Sequence, residues 1–294
     1  MTNRVGFGSA VVVGVLVTTD DGTERYASVL LPNATMQCVG LWAVDSEHEP
    51  RPFIPAPLTR LIGRAADVDG VGDAMRRARL VTLTGPGGVG KTRMAVEVGR
   101  LRRPADGVWT VELASLEAVD VTTETARVFD VRAAPGSETT EALQRYLADR
   151  DVLLVIDNCE HVLDACAELV TTLLGACANL RVLATSREPL NIAGETVWKL
   201  EPLSPEDGYR LFVERARQRR ADLVPDEDTH QAISDICARL DHLPLGIELA
   251  AARVSVMSPQ EIDASLDAHF AELSAARRQA PARHRSVRAA VEWS

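Results

Sequence analysis

Aromatic side chains are scarce in this chain: Phe, Trp and Tyr make up 4% of its 294 residues. Leu, Val and Ala must therefore fill whatever core it builds. Cysteines are few and odd in number, the five being Cys38, Cys159, Cys166, Cys177 and Cys237, with no C-x-x-C pair. That speaks against a zinc ribbon or a disulfide framework and suits reduced, buried thiols in a cytoplasmic protein. Long apolar runs are missing as well. The one candidate, Val5 to Val17, is too short to span a bilayer, and no convincing small-residue cleavage site follows it. Positive charge is outweighed, with 32 Lys and Arg against 42 Asp and Glu and a net charge of −10. Such a chain is a poor binder of the phosphate backbone, so no DNA binding is expected of it alone. No internal repeat and no low-complexity tract is present.

What is present has a clear organisation. Residues 1–48 read as a small β-rich segment, with strands expected at Ala10 to Thr19, Glu24 to Leu31 and Met36 to Val44 and a turn at Asp20-Asp21-Gly22. Residues 49–60 carry Pro50, Pro52, Pro55 and Pro57 and read as an extended linker. Residues 61–203 alternate short apolar strands with amphipathic helices. The strands are Leu80 to Thr84, Gly107 to Leu113, Val152 to Ile156 and Arg181 to Thr185. Helices are expected at Lys91 to Leu101, Asp120 to Phe129, Glu138 to Ala148 and Glu160 to Ala176. This alternation predicts an α/β fold, a parallel sheet with helices on both faces. Residues 204–280 turn wholly helical, over roughly 205–219, 227–240, 244–256 and 259–273.

The chemistry begins at Gly85-Pro86-Gly87-Gly88-Val89-Gly90-Lys91-Thr92, which fits the phosphate-loop pattern G-x-x-x-x-G-K-[ST]. A buried strand precedes it and a helix follows, as the pattern requires. Glycines let backbone N–H groups curl around phosphate oxygens, and the new helix adds its positive end. Lys91 is then expected at the β and γ phosphates, with Arg93 beside it, and the Thr92 hydroxyl on Mg²⁺. Val152-Leu-Leu-Val-Ile-Asp157 is an apolar strand ending in a carboxylate, the form a magnesium-holding Asp takes. Asn158 follows, able to orient a water but not to take its proton. Glu160 serves as general base or merely as a favourable acid in a first helical turn, and the sequence leaves both open. His161 reads as structural. Arg187 closes the strand Arg181 to Thr185; if that strand lies beside the phosphate-loop strand, Arg187 reaches the γ-phosphate.

GPGGVGKTRMA, LLVIDNCEHV, LATSREPL and LPLGIELAAAR, in that order and spacing, resemble the ATPase core of STAND/NB-ARC signalling proteins. The resemblance is strongest to large bacterial transcriptional regulators of the LuxR type, and covers about residues 55 to 294. It implies an AAA-like ATPase module that acts as an ADP/ATP switch, with Mg²⁺ as cofactor and slow hydrolysis. Gly63 and Arg64 would belong to a segment covering the adenine, Pro244 to the nucleotide-contacting part of the helical subdomain, and Arg187 would be the sensor arginine. His242 stands where that family usually has glycine, and Asn158 where it often has a second Asp. ATP is preferred over GTP on the resemblance alone. The stretch RHRSVRAAVEWS, residues 281–294 in the main, looks like the start of a winged-helix region, so a truncated regulator is expected. Nucleotide is the expected ligand, with self-association or a signalling partner protein beyond it and no membrane.

Two rivals accompany this reading. One is a scaffold that holds ADP permanently. The other is a small-molecule P-loop kinase, for which neither an acceptor pocket nor an Arg-rich lid is evident. Two basic clusters, Arg215, Arg217, Arg219 and Arg220, and Arg277, Arg278, Arg283, Arg285 and Arg288, lack interleaved aromatics and read as a solvated helix face and a linker.

Overall fold

The computed structural model describes residues 59–102, 104–113, 121–134 and 136–266, together with the backbone of three strands between residues 5 and 32. The chain divides into two compact units, Met1–Arg51 and Pro52–Ser294. The first contains β1 (Val5–Phe7), β2 (Ala10–Thr18) and β3 (Glu24–Pro32), paired antiparallel in that order. The hairpin register sets Thr18 opposite Glu24 and Val13 opposite Val29. The strand expected at Met36 to Val44 lies outside the described residues; the third strand of this sheet is Val5–Phe7.

The second unit opens with α1 (Ala65–Arg77), β4 (Leu80–Thr84) and α2 (Lys91–Arg102). β5 (Val108–Glu112), α3 (Val121–Val128), α4 (Thr139–Leu147) and β6 (Leu153–Asp157) follow. α5 (Leu163–Ala176), β7 (Arg181–Ser186) and β8 (Glu195–Lys199) complete the sheet layer. The strands form one parallel sheet in the order β5-β6-β7-β4-β8. The strand ending in Asp157 is therefore not the neighbour of the phosphate-loop strand; β7 lies between them.

Side-chain alternation along the strands divides the core into two layers. Leu154, Ile156, Val182 and Ala184 pack with Leu143, Leu147, Leu169 and Leu173 of α4 and α5. Leu153, Val155 and Leu183 point the other way, against Val71 and Met75 of α1 and Met94 and Val98 of α2. Strands buried on both faces read as continuous apolar runs, and each fully buried Leu or Val contributes about 2 kcal/mol. A third cluster joins α6 (Pro205–Arg219), α7 (Glu227–Arg239) and α8 (Pro244–Ala252) through Leu211, Phe212, Ile233, Ile236, Ile247 and Ala251. α6 begins at Ser204, whose Oγ accepts from the Asp207 N–H, with Pro205 at the first helical position. α7 begins at Asp226, which accepts from the Thr229 N–H.

Three local features depart from expectation. The helix expected from Glu160 is a 3₁₀ turn, Cys159–His161, followed by a separate helix from Leu163. The left-handed Asn158 (φ 63°, ψ 47°) and the non-helical Val162 (φ −140°, ψ 39°) bracket that turn and prevent one continuous helix. β8 appears where no strand was expected, as a short edge strand of mixed burial. α1 forms at Ala65–Arg77, where no helix was expected. Its interior Gly70 weakens the helical pattern, yet a Cβ there would fall 2.2 Å from the Trp198 ring of β8, so the glycine is the price of that close packing.

Candidate functional site

The site lies at the carboxyl ends of β4, β6 and β7, the edge where open α/β sheets hold ligands. β4 leads into the loop 85–90. At its head Gly85 has φ 149°, and a Cβ would sit 2.7 Å from the Leu200 carbonyl oxygen, so the position demands glycine. The loop delivers Lys91 and Thr92 at the start of α2. Lys91 is 7% exposed, and its ammonium donates to the carbonyls of Gly85 at 3.0 Å and Pro86 at 3.2 Å. Burial lowers the Lys91 pKa and the nearby Arg187 lowers it further, while Glu160 and Asp157 oppose the shift. A cation that burial disfavours is set to gain from an incoming polyanion.

Asp157 is 3% exposed and is surrounded by donors. Thr92 Oγ1 lies 2.8 and 2.9 Å from its two oxygens, Thr185 Oγ1 donates to Oδ1 at 2.5 Å, and Asn158 Nδ2 donates to Oδ2 at 3.0 Å. The Asn158 N–H in turn donates to Thr185 Oγ1 at 3.0 Å, which the left-handed backbone at Asn158 makes possible. A hydroxyl and a carboxylate in direct contact beside a phosphate loop are the oxygen donors that Mg²⁺ takes, so this pair fits the cation.

Arg187 extends from β7 over the loop. A Cβ built at Gly87 would lie 3.8 Å from its Nη2. Its Nε pairs with Glu160 Oε1 at 3.2 Å, and Glu160 is 11% exposed, with Oε2 buried and unpartnered among the described residues. Arg64, 6% exposed, ties the loop to the segment after β8: it donates to the carbonyls of Val89 at 3.2 Å and Glu201 at 2.7 Å and pairs with Asp67 at 3.1 Å.

A cleft of about 600 Å³ runs from Gly87–Arg93, Asn158, Glu160 and Arg187 to an apolar end at Leu61, Ile62, Leu203, Leu211 and Pro244. α8 closes on the loop directly, the Leu245 N–H donating to the Gly88 carbonyl at 3.1 Å. Gly63 is not part of this lining; at φ 68° it turns against Asp207 of α6. Arg93 lines the cleft, but its guanidinium is engaged with the carbonyl of Thr59. His242 adopts φ 52° and Asp241 φ 51°, the left-handed region that glycine favours, which gives a physical reason for the glycine usual in the resembling family.

Sequence reasoning missed Thr185, Arg215 and Glu248. Thr185 stood in the quoted LATSREPL, but only tertiary pairing shows it touching Asp157. Arg215 was grouped with a solvated basic face. It is 11% exposed, lines the cleft and pairs with Glu248. The second basic cluster, Arg277 to Arg288, lies outside the described residues.

Comparison with known proteins agrees with the geometry. Residues 74–192 match the family model of the AAA domain. A Walker-type ATPase of Pyrococcus abyssi has a similar fold, with a TM-score of 0.51 at 15% identity over 79% of each chain. The protein is thus built on a P-loop NTPase domain. A Mycobacterium tuberculosis protein with the provisional name of HTH-type transcriptional regulator is 44% identical over 218 residues, 74% of this chain and 25% of its own length. The regulatory protein AfsR of Streptomyces coelicolor is 31% identical over 224 residues, 69% of this chain and 22% of its own. The chain spans about a quarter of the length of these relatives. Among the described residues, no helix is long and apolar enough to cross a membrane.

Proposed function

We propose that this chain is the nucleotide-switch module of a transcriptional regulator, binding ATP and ADP with Mg²⁺ and hydrolysing ATP slowly. The observation that carries the reading is the position of Arg187. It follows the strand hydrogen-bonded to β4 and reaches over the phosphate loop, where its fork would meet a γ-phosphate and an ADP would leave it idle. The loop amides and Lys91 hold the phosphates; Thr92 and Asp157 would hold Mg²⁺, which neutralises phosphate charge. Glu160 would orient or deprotonate the attacking water. Arg64 and Pro244 would frame the nucleotide from the two sides of the cleft. The finer assignment to STAND/NB-ARC proteins and to LuxR-type regulators rests on the motif resemblance, and the regulatory role is supported by the names of the relatives. Self-association or a signalling partner would transmit the switch.

One observation favours a second reading, a scaffold that holds ADP without turnover. Asn158 cannot accept a proton, and among the described residues of the cleft each carboxylate, Glu160 and Glu248, is paired with an arginine. Binding of ADP and of a non-hydrolysable ATP analogue, with phosphate release from Mg-ATP, separates the two. Slow release that Lys91→Ala abolishes supports the switch; tight ADP with no release supports the scaffold; absence of binding overturns both.

A further inference from the structure

The segment 59–62 is held from both sides. At Thr59 the carbonyl accepts from Arg93, on the helix that carries Lys91. At Arg60, one residue on, the carbonyl accepts from Arg215 Nη2 of α6 at 3.1 Å. Arg215 is otherwise fully engaged: its Nε pairs with Glu248 Oε1 of α8 at 2.9 Å, and its Nη1 with Glu214 Oε1 at 3.0 Å. Three residues further, Gly63 packs against Asp207 at the start of α6. The segment therefore runs antiparallel to α6. Asp207, Leu211 and Arg215, spaced by four, form one stripe of that helix, and Leu211 and Arg215 both face the cleft.

A nucleotide whose phosphates occupy 87–92 must place its base at the opposite, apolar end of the same cleft. That end is walled by Leu61, Ile62, Leu203, Leu211 and Pro244, and Arg215 with Glu248 closes its rim. A flat base in an apolar slot is bound by the spacing of the walls, and its edge by polar groups fixed in place. Arg215 fixes that spacing. Its planar fork joins the 59–62 backbone, α6 and α8 at one point, a geometry that a lysine's single ammonium does not reproduce.

We propose that Arg215 is the positioning residue of the base end of this cleft, setting the wall formed by 59–62 and thereby the affinity for the base of an adenine nucleotide. The proposal rests on the nucleotide reading above and deepens it. Inorganic pyrophosphate is the discriminating probe, because it uses the phosphate loop and has no base. Calorimetric titration of the full chain with ADP and with pyrophosphate is the measurement, on the wild type, Arg215→Gln and Arg215→Lys. The expected result is an ADP affinity lowered about tenfold in both variants with pyrophosphate affinity unchanged. Selectivity for ADP over GDP should shrink in parallel. Equal losses for ADP and pyrophosphate would show a merely structural role and overturn the proposal, as would unchanged ADP affinity and selectivity. Should Arg215→Gln fail to fold, the Lys variant, which keeps stem and charge, decides alone. A wild type that binds pyrophosphate but not ADP overturns the proposal while leaving the phosphate site standing; one that binds neither removes the nucleotide reading itself.

Discussion

Glu160 and Arg187 neutralise each other across the mouth of the cleft, Nε to Oε1 at 3.2 Å, with Lys91 close enough to feel both charges. Each is the group that the proposed chemistry needs free: the arginine for a γ-phosphate, the carboxylate for a water. An incoming triphosphate therefore competes with Glu160 for the charge of Arg187, and a diphosphate does not. Glu160→Gln removes the competing charge. Its expected effect is a roughly tenfold gain in affinity for a non-hydrolysable ATP analogue with ADP affinity unchanged, together with loss of any phosphate release. In an Arg187→Gln background the same change should do nothing to the analogue's affinity. A gain that persists without Arg187 would show that Glu160 repels the phosphates directly rather than through the pair.

The sheet and the phosphate loop were legible because they are local. Leu80 to Thr84, Arg181 to Thr185 and Val152 to Ile156 are apolar runs that only a two-sided burial explains, and the loop carries its glycines at fixed offsets. What the sequence concealed depends on partners far along the chain. β8 became a strand because β4 offers it an edge, with Leu83 opposite Trp198. The break at Asn158 follows from a left-handed residue whose N–H is drawn to Thr185, 27 positions away. Arg215 looked solvated among Arg217, Arg219 and Arg220 because helical phase alone does not say which face another lobe will cover.

Two glycines of α1 should respond to the same substitution with opposite signs. Alanine favours a helix interior over glycine by about 1 kcal/mol. At Gly72 nothing lies within 4 Å of the added carbon, so Gly72→Ala should stabilise by roughly 0.5–1 kcal/mol. At Gly70 the carbon would fall 2.2 Å from the Trp198 ring, and overpacking costs about 1–3 kcal/mol, which outweighs the helical gain. Urea unfolding of the two variants checks both. A stabilised Gly70→Ala would mean that β8 and its tryptophan move aside freely.

Cys237 makes a prediction for alkaline pH. Burial pushes its thiol from 9.0 up to about 12, so the folded protein keeps a proton that the unfolded chain releases. A raised pKa contributes stability that is complete below the unfolded value and is lost as pH rises through the folded one. The urea midpoint should accordingly fall between about pH 9 and pH 12, and less steeply in Cys237→Ala. With Cys38 replaced by Ser, the four buried cysteines should stay unreactive to a thiol-specific disulfide reagent until the protein is unfolded. Rapid labelling of the native state would place a thiol at the surface.

Thr185 carries the last test, because its single proton has one destination. Its Oγ1 accepts the Asn158 N–H and so turns its own hydrogen toward Asp157, at 2.5 Å. The hydroxyl is fully buried. Thr185→Val keeps the shape and removes the proton. It leaves a buried carboxylate one donor short and an N–H without its acceptor, a cost of about 1–3 kcal/mol. If Asp157 holds Mg²⁺ beside Thr92, a carboxylate freed to rotate should bind it less well. The Mg²⁺ concentration that half-saturates the ADP complex should then rise about tenfold, with Mg²⁺-free ADP affinity unchanged. Thr185→Ser, which restores the donor without the methyl, should recover most of the Mg²⁺ response. A Val variant with a wild-type Mg²⁺ curve would show that the magnesium carboxylate is oriented by Thr92 and Asn158 alone.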